Sequence, residues 1–380
     1  MRFPLYWLML CLPHSWPACA EFTFMSYLAT NTPRLVRWIE SQPTSAFPAG
    51  GLPYKDRLAN VFNYLQANVY SHVQAGAILS SVDDHDDQSA SSPLVDYLTD
   101  HGEQHIRTVI ARAGDLIFRG DVPSLRSYEV YLLIQAAHFH DVGNIFGRGG
   151  HEKRLADVIA ALGPLVGDDA PERRAIQRIA GAHGGKVNGS KDTVGLLPPV
   201  EPVLGQEVRF QALAAILRFA DELADDSTRA GRFMMASNQI PESSQVFHRY
   251  ALALHSVIVK PEHHTIQLDF QFTRDDAVRE FGKFASRVYL LDEIFARTLK
   301  MHCERMYCMR FMRDIARMDA IDVRITIYQD NNSIVPLMDP IGYRLTESGY
   351  PDFTTAAITD FCPDLTLTGR ALCDSLLNSH

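Results

Sequence analysis

The feature of this sequence that most constrains its fold is a nearly unbroken series of helical patterns between Leu94 and about Arg232. Apolar residues recur three and four positions apart, and short stretches rich in glycine and proline separate one pattern from the next. Such segments can bury their apolar faces only by packing against one another, so we predict a mainly α core. The predicted helices cover residues 104–118, 127–139, 151–163, 171–182 and 208–226.

The residues before this core are predicted to be helical as well. Apolar periodicity over 32–42 and 54–73 indicates two helices, and the Asp- and Ser-rich stretch 80–93 favours a surface loop. We assign residues 25–93 to this N-terminal region and residues 94–235 to the core. Residues 1–24 form an extension similar to a secretory signal peptide. We favour a start at Met25 over Met1, and hence a cytoplasmic protein.

After residue 235 the period of the pattern changes from helix to strand. Alternating apolar residues over 246–259 and 264–272, joined by 260–264, predict a β-hairpin. A long helix is expected from Asp275 to about Met318, followed by a strand over 321–329. Together these predict a small α+β unit appended to the core, covering 236–330. Residues 331–380 show no clear pattern and are assigned to a C-terminal tail.

Composition restricts the partners of the protein. Of its 380 residues 46% are hydrophobic and 21% charged, as in globular proteins with a substantial core. The net charge of −9 argues against bulk nucleic-acid binding, which needs a basic face. The six cysteines lack zinc-ribbon or CxxC spacing. The N-terminal extension is too short to span a membrane, and no other stretch is long and apolar enough to do so. A small anionic substrate and a homo-oligomer remain compatible with these data.

Isolated polar residues occur where the predicted core helices begin or end. The apolar pattern "YEVYLLIQAAHFH" ends at His140, and Asp141 follows at once. A buried histidine and aspartate cost free energy unless they are paired or bound to a cation. We interpret His138 as a structural histidine, because it faces another direction. Residues of the same kind stand at other boundaries or on core helices: His105, His151, His183 and Asp221.

The order of these residues resembles the HD superfamily of metal-dependent phosphohydrolases. The similar segments are "HIRTV", "HFHDVGN", "HEKRLADVI", "IAGAHGG" and "ILRFADELAD". "YLTDHGEQHI" with "HDVGNIFGRGGHEK" is most similar to the HD-CE branch, found in bacterial conflict and signalling systems. The resemblance covers about Leu94 to Asp226 and extends loosely to Tyr328. Two segments differ from some relatives: "AHGG" has one histidine instead of a pair, and "VGN" replaces "IGK".

The resemblance implies an all-helical metal-binding core that holds two divalent ions (Mn, Fe, Co, Ni or Mg). Asp141 would bridge the ions, His105, His140 and Asp221 would complete one site, and His151 and His183 the other. A hydroxide between the ions would attack the phosphorus of a nucleotide or nucleotide-derived mono- or diester. The expected catalytic residues are Asp141, His183 and Lys186. The candidates for binding the substrate phosphate are Arg148, Lys186 and Lys191.

Two other functions remain open at this point. The same ligands could hold a di-iron centre for oxygenation, or the core could be a catalytically silent ligand sensor. Single residues also have structural alternatives. Asp221 could pair with Arg218, and Asn144 could orient a water, although we favour a helix-capping role for it.

Overall fold

A computed structural model of the chain describes most residues after the first thirty-one. The chain divides into two units, residues 1–32 and 33–380. The predicted extension 1–24 and acidic loop 80–93 lie outside the described residues. The boundaries predicted within the second unit, at 93/94, 235/236 and 330/331, remain predictions. The described residues are 32–72, 77–79, 95–97, 102–146, 151–166, 169–187, 189–225, 240–347 and 357–378.

The described part is mainly helical with a small α+β unit, which confirms the predicted fold class. Its α-helices are α1 (Arg34–Ser41), α2 (Tyr54–Asn68), α3 (Glu103–Ile117), α4 (Ser127–Phe139), α5 (His151–Leu162), α6 (Ala170–Gly181), α7 (Phe210–Glu222), α8 (Gln245–Ala253), α9 (Arg274–Ala277), α10 (Leu290–Met312), α11 (Ile358–Phe361) and α12 (Gly369–Asn378). No helix among the described residues is both long and apolar enough to cross a membrane.

Helix α7 is the centre of the core. Its residues Leu213, Ile216 and Leu217 are fully buried, and so is most of its circumference. A helix that is buried on most sides must be enclosed by others, and α7 packs against α3, α4, α6 and α10. The five predicted core helices, α3 to α7, are confirmed to within a few residues. Their packing brings several polar helix ends into one region.

Helix α2 is joined to this core by a buried ion pair. Nη1 of Arg57 lies 2.7 Å from Oε1 of Glu172 on α6, and both side chains are fully buried. The hydroxyls of Tyr128 and Tyr131 on α4 donate to the same carboxylate at 2.9 and 3.1 Å. Burial raises the pKa of Glu172, although Arg57 acts in the opposite direction. The N-terminal helical region therefore packs directly on the helices of the core.

The appended unit and the tail together form a four-stranded sheet in the order β12 (Ile341–Thr346), β11 (Ala320–Tyr328), β8 (Thr265–Thr273) and β7 (Leu254–Lys260). Strands β8 and β11 are parallel, and Thr265 lies opposite Ala320. The two outer pairings are antiparallel. Helix α10 lies in the crossover between the parallel strands. The strands are β1 (Ala77–Leu79), β2 (Val95–Tyr97), β3 (Phe118–Arg119), β4 (Val122–Pro123), β5 (Glu201–Val203), β6 (Gln206–Val208), β7 (Leu254–Lys260), β8 (Thr265–Thr273), β9 (Glu280–Lys283), β10 (Ser286–Tyr289), β11 (Ala320–Tyr328) and β12 (Ile341–Thr346).

The predictions for this unit are right in part. The hairpin and the strand at 321–329 are confirmed as β7–β8 and β11. The predicted strand 246–259 is wrong in its first half, which forms α8. The helix predicted from Asp275 is wrong over its first residues, where α9 and the hairpin β9–β10 precede α10. The tail without a pattern contains β12, α11 and α12.

Candidate metal centre

Four predicted ligands converge inside the helical core. Nε2 of His105, near the start of α3, lies 3.1 Å from Oδ1 of Asp221 at the end of α7. Nε2 of His140, which follows α4, lies 3.3 Å from Oδ2 of Asp141 and 3.6 Å from Oδ1 of Asp221. One ligand atom from each of the four residues lies within 4.8 Å of the other three. This separation allows one cation to contact all four side chains.

His183 extends the cluster on the far side of Asp141. Its Nε2 lies 3.6 Å from Oδ1 of Asp141, whereas Oδ2 of the same carboxylate faces His105 at 3.5 Å and His140 at 3.3 Å. The two oxygens of Asp141 are thus directed toward different histidines. A carboxylate in this position can bridge two ions.

Backbone carbonyls fix the orientation of two of the imidazole rings. Nδ1–H of His140 donates to the carbonyl of Ala137 at 2.9 Å, and Nδ1–H of His183 donates to that of Ala180 at 2.7 Å. A carbonyl oxygen only accepts, so the neutral rings carry their lone pairs on Nε2. Those lone pairs face carboxylate oxygens and repel them unless a cation lies among them. The donor set therefore fits a divalent metal ion held by imidazole and carboxylate.

The electrostatics of the cluster agree with a need for positive charge. Burial lowers the pKa of His140, but the neighbouring Asp141 and Asp221 outweigh this effect and raise it well above its ordinary value. Burial raises the pKa of Asp221, but hydrogen bonds from His105 and His140 outweigh it and lower that pKa strongly. Without a metal ion, a proton on His140 partly balances the charge of the carboxylates. The side chain of Asp221 is 28% exposed, so solvent reaches the cluster there.

His138 has the structural environment expected from its direction on α4. Its Nδ1 forms a hydrogen bond with the buried hydroxyl of Tyr70, at 2.8 Å. Burial lowers the pKa of His138 to about 3, with smaller contributions from Arg107 and His140. The ring is neutral and linked to Tyr70 instead of to the carboxylates.

Of the other predicted site residues, only Lys186 and Lys191 have side chains among the described residues. His151 begins α5, but its side chain lies outside the described residues, as does the whole of Arg148. Lys186 and Lys191 are exposed in the segment that follows His183. Their roles, and the roles assigned to each ligand, remain predictions.

The surroundings of the cluster include groups whose roles the sequence did not indicate. The side-chain oxygen of Asn144 is buried and accepts no hydrogen bond from the described residues, which argues against the capping role. Arg218 pairs with Glu304 of α10, at 2.7 Å, instead of with Asp221. Pattern reasoning had no means of finding Glu304, because it lies in the middle of a long amphipathic helix.

Comparison with known families agrees with this geometry. The HD-CE family, part of the HD superfamily, matches residues 95–300, more than half of the 380-residue chain. The matched range includes the five clustered residues from His105 to Asp221. No curated protein matches the chain significantly. The sequence match and the cluster of histidines and aspartates lead to one assignment: the chain belongs to the HD-CE family.

Proposed function

We propose that this protein is a metal-dependent phosphohydrolase that cleaves a nucleotide or nucleotide-derived phosphoester. The observation that carries the proposal is the convergence of His105, His140, Asp141 and Asp221, whose ligand atoms lie within 4.8 Å of one another. The position of His183, 3.6 Å from the far oxygen of Asp141, supports a second ion. We keep His151 as a proposed ligand of that second ion.

The donor set suits Mn, Fe, Co or Ni, since these metals accept mixed shells of imidazole and carboxylate, and Mg stays among the candidates. When bound, such ions supply Lewis-acid chemistry and lower the pKa of a coordinated water enough for it to act as a nucleophile. His140 and His183 contribute rings that are already oriented by the carbonyls of Ala137 and Ala180. This fixed orientation reduces the reorganisation needed during the reaction.

The substrate is proposed to enter on the solvent-exposed side of Asp221. The segment after His183 carries Lys186 and Lys191, both exposed and able to bind phosphate oxygens. We propose the same role for Arg148 and a proton-transfer role for Lys186, and we propose that His183 acts in catalysis as a metal ligand. The buried amide oxygen of Asn144, which accepts no hydrogen bond from the described residues, is available to orient a water at this site.

The test is a metal-dependent activity assay with matched variants. Metal-stripped protein is given Mn²⁺, Co²⁺, Ni²⁺ or Mg²⁺ together with nucleoside monophosphates, cyclic nucleotides and nitrophenyl mono- and diesters. Asp141→Asn removes the bridging charge. Asp269→Asn is the control, because that carboxylate lies on β8 and contacts Ser256 and Gln267.

We expect metal-dependent ester cleavage that is at least about 100-fold slower in Asp141→Asn and unchanged in Asp269→Asn. Protein that binds Mn²⁺ but cleaves none of these esters would contradict the proposal and favour a ligand sensor. A mixed-valent iron spectrum in the isolated protein, without esterase activity, would instead favour a di-iron oxygenase.

A further inference from the structure

One guanidinium connects the appended α+β unit to the helix that ends in a metal ligand. Arg218 lies on α7, one turn before Asp221, and is largely buried. Its Nε and Nη2 donate to the two carboxylate oxygens of Glu304 on α10, at 2.7 and 2.9 Å. A bidentate contact of this kind fixes the orientation of the guanidinium relative to the carboxylate as well as the distance between them. This contact therefore fixes the rotation of α7 about its own axis relative to α10, close to the candidate metal centre.

The third nitrogen of Arg218 holds the segment that follows His183. Nη1 donates to the hydroxyl of Thr193 at 3.0 Å and to the carbonyl of Lys191 at 3.2 Å. The hydroxyl of Thr193 donates in turn to the carbonyl of Ala182 at 2.7 Å. Ala182 is the residue immediately before His183. A continuous chain of hydrogen bonds therefore runs from Glu304 to the neighbour of a proposed ligand.

Tyr307 holds the same segment from α10. Its hydroxyl donates to Oδ1 of Asp192 at 2.8 Å and accepts from the backbone N–H of Val194 at 3.0 Å. The Arg218 guanidinium lies 4.6 Å from the centre of the Tyr307 ring, within cation–π distance. The segment is therefore fixed on both sides of Thr193.

Further ion pairs fix α10 along the end of α7. Lys300 lies 2.6 Å from Glu222, and Arg297 pairs with Asp225. Arg218 and Glu222 on α7 thus face α10, whereas Asp221 between them faces the candidate metal centre. Moving α10 relative to α7 would disturb both Asp221 and the segment after His183.

We infer that Arg218 is a positioning residue for the metal centre, linking Glu304 of α10 to Asp221 and, through Thr193, to His183. The inference rests on the metal site of the proposed function but not on its phosphoesterase activity. Groups outside the ligand shell that orient ligands typically change metal affinity by about 10- to 100-fold. Arg218 is one hydrogen bond further from the ligands than such groups are, so we expect its effect on metal affinity at the lower end of that range.

The experiment measures the dissociation constant of Mn²⁺ by calorimetry on the full chain and compares variants that separate positioning from stability. Thr193→Val removes the bridging hydroxyl at nearly constant shape, and Thr193→Ser retains it. Glu304→Gln removes the charge that fixes Arg218. Asp292→Asn is the matched control: it lies on the same helix, and its carboxylate accepts the backbone N–H of Gly369 on α12 at 2.7 Å. Thermal melts of the metal-free proteins verify folding.

We expect Thr193→Val and Glu304→Gln to weaken Mn²⁺ binding roughly tenfold. Thr193→Ser and Asp292→Asn should stay within about twofold of the original chain. Unchanged affinity in both Thr193→Val and Glu304→Gln would overturn the inference, and so would a loss in Thr193→Ser equal to that in Thr193→Val. Failure of the original chain to bind Mn²⁺ would instead overturn the proposed function and, with it, this inference.

Discussion

Nε2 of His105 lies 3.1 Å from Oδ1 of Asp221, although the two residues stand at opposite ends of the helical core sequence. His105 belongs to the first turn of α3 and Asp221 to the last turn of α7. These helices pack directly against each other. The position of the candidate metal centre is therefore set by the packing of α3 on α7, and by the ends of α4 and α6 beside them.

Asp221→Asn should abolish tight metal binding while leaving the fold intact. The amide keeps the shape and can still hydrogen-bond to His105, but it lacks the charge that attracts a divalent ion. We expect Mn²⁺ affinity, measured by calorimetry, to fall by more than roughly 100-fold, since even outer groups contribute 10- to 100-fold. Asp115→Asn, which changes a carboxylate of α3 paired with Arg112, is the control. Equal loss in both variants would show that the effect is not specific to the site.

Tyr70→Phe should lower stability without changing metal binding. The hydroxyl of Tyr70 forms a hydrogen bond with Nδ1 of His138 at 2.8 Å, and both residues are buried. Removing the hydroxyl leaves this buried ring nitrogen without its partner, at a cost of about 1–3 kcal/mol in the free energy of unfolding. Urea denaturation measures that cost, and Mn²⁺ titration should give the original affinity. A large loss of affinity would mean that His138 supports the site and is not merely structural.

Glu129→Gln should destabilise the fold in a way that depends on pH. Burial raises the pKa of Glu129, but hydrogen bonds from Arg209 and Arg126 outweigh it and lower the pKa below 4.5. The folded state therefore favours the ionised carboxylate, whose stabilisation is complete above about pH 4.5 and is lost as the pH falls through the lower, folded-state pKa. We expect the variant to lose about 2 kcal/mol at neutral pH.

The check for Glu129→Gln is urea unfolding of both proteins at a series of pH values. The difference between them should shrink as the solution is acidified below pH 4.5, because the original chain then becomes protonated at Glu129. A difference that stays constant or grows toward acid would contradict the lowered pKa.

The helices that carry the ligands could be predicted because local and tertiary preferences agree there. The pattern over 127–139 predicts α4 at the bounds that the structure has. Each ligand stands where an apolar pattern begins or ends, so the convergence of His105, His140, Asp141 and Asp221 follows once these helices pack. Asp221, unlike the others, could also have been assigned to an ion pair, and only the structure places Arg218 against Glu304.

The errors occur where tertiary contacts decide between patterns. Val246, His248 and Tyr250 fit both a two-residue and a four-residue period, and packing selects the helix α8. The hairpin β9–β10 turns through Phe284 at φ 51° instead of through the glycine or asparagine that would have indicated it. At Gly282 a Cβ atom would lie 1.9 Å from the carbonyl oxygen of Glu242, so this glycine permits a close approach that no local pattern reveals.

The most direct measurement is a crystal structure with Mn²⁺ and diffraction data collected at the manganese absorption edge. The account predicts an anomalous peak within about 2.0–2.4 Å of ligand atoms of His105, His140, Asp141 and Asp221, as for other divalent ions bound by imidazole and carboxylate. A second peak is expected between Asp141 and His183. Full Mn²⁺ occupancy at some other place, with no peak among these side chains, would contradict the central claim.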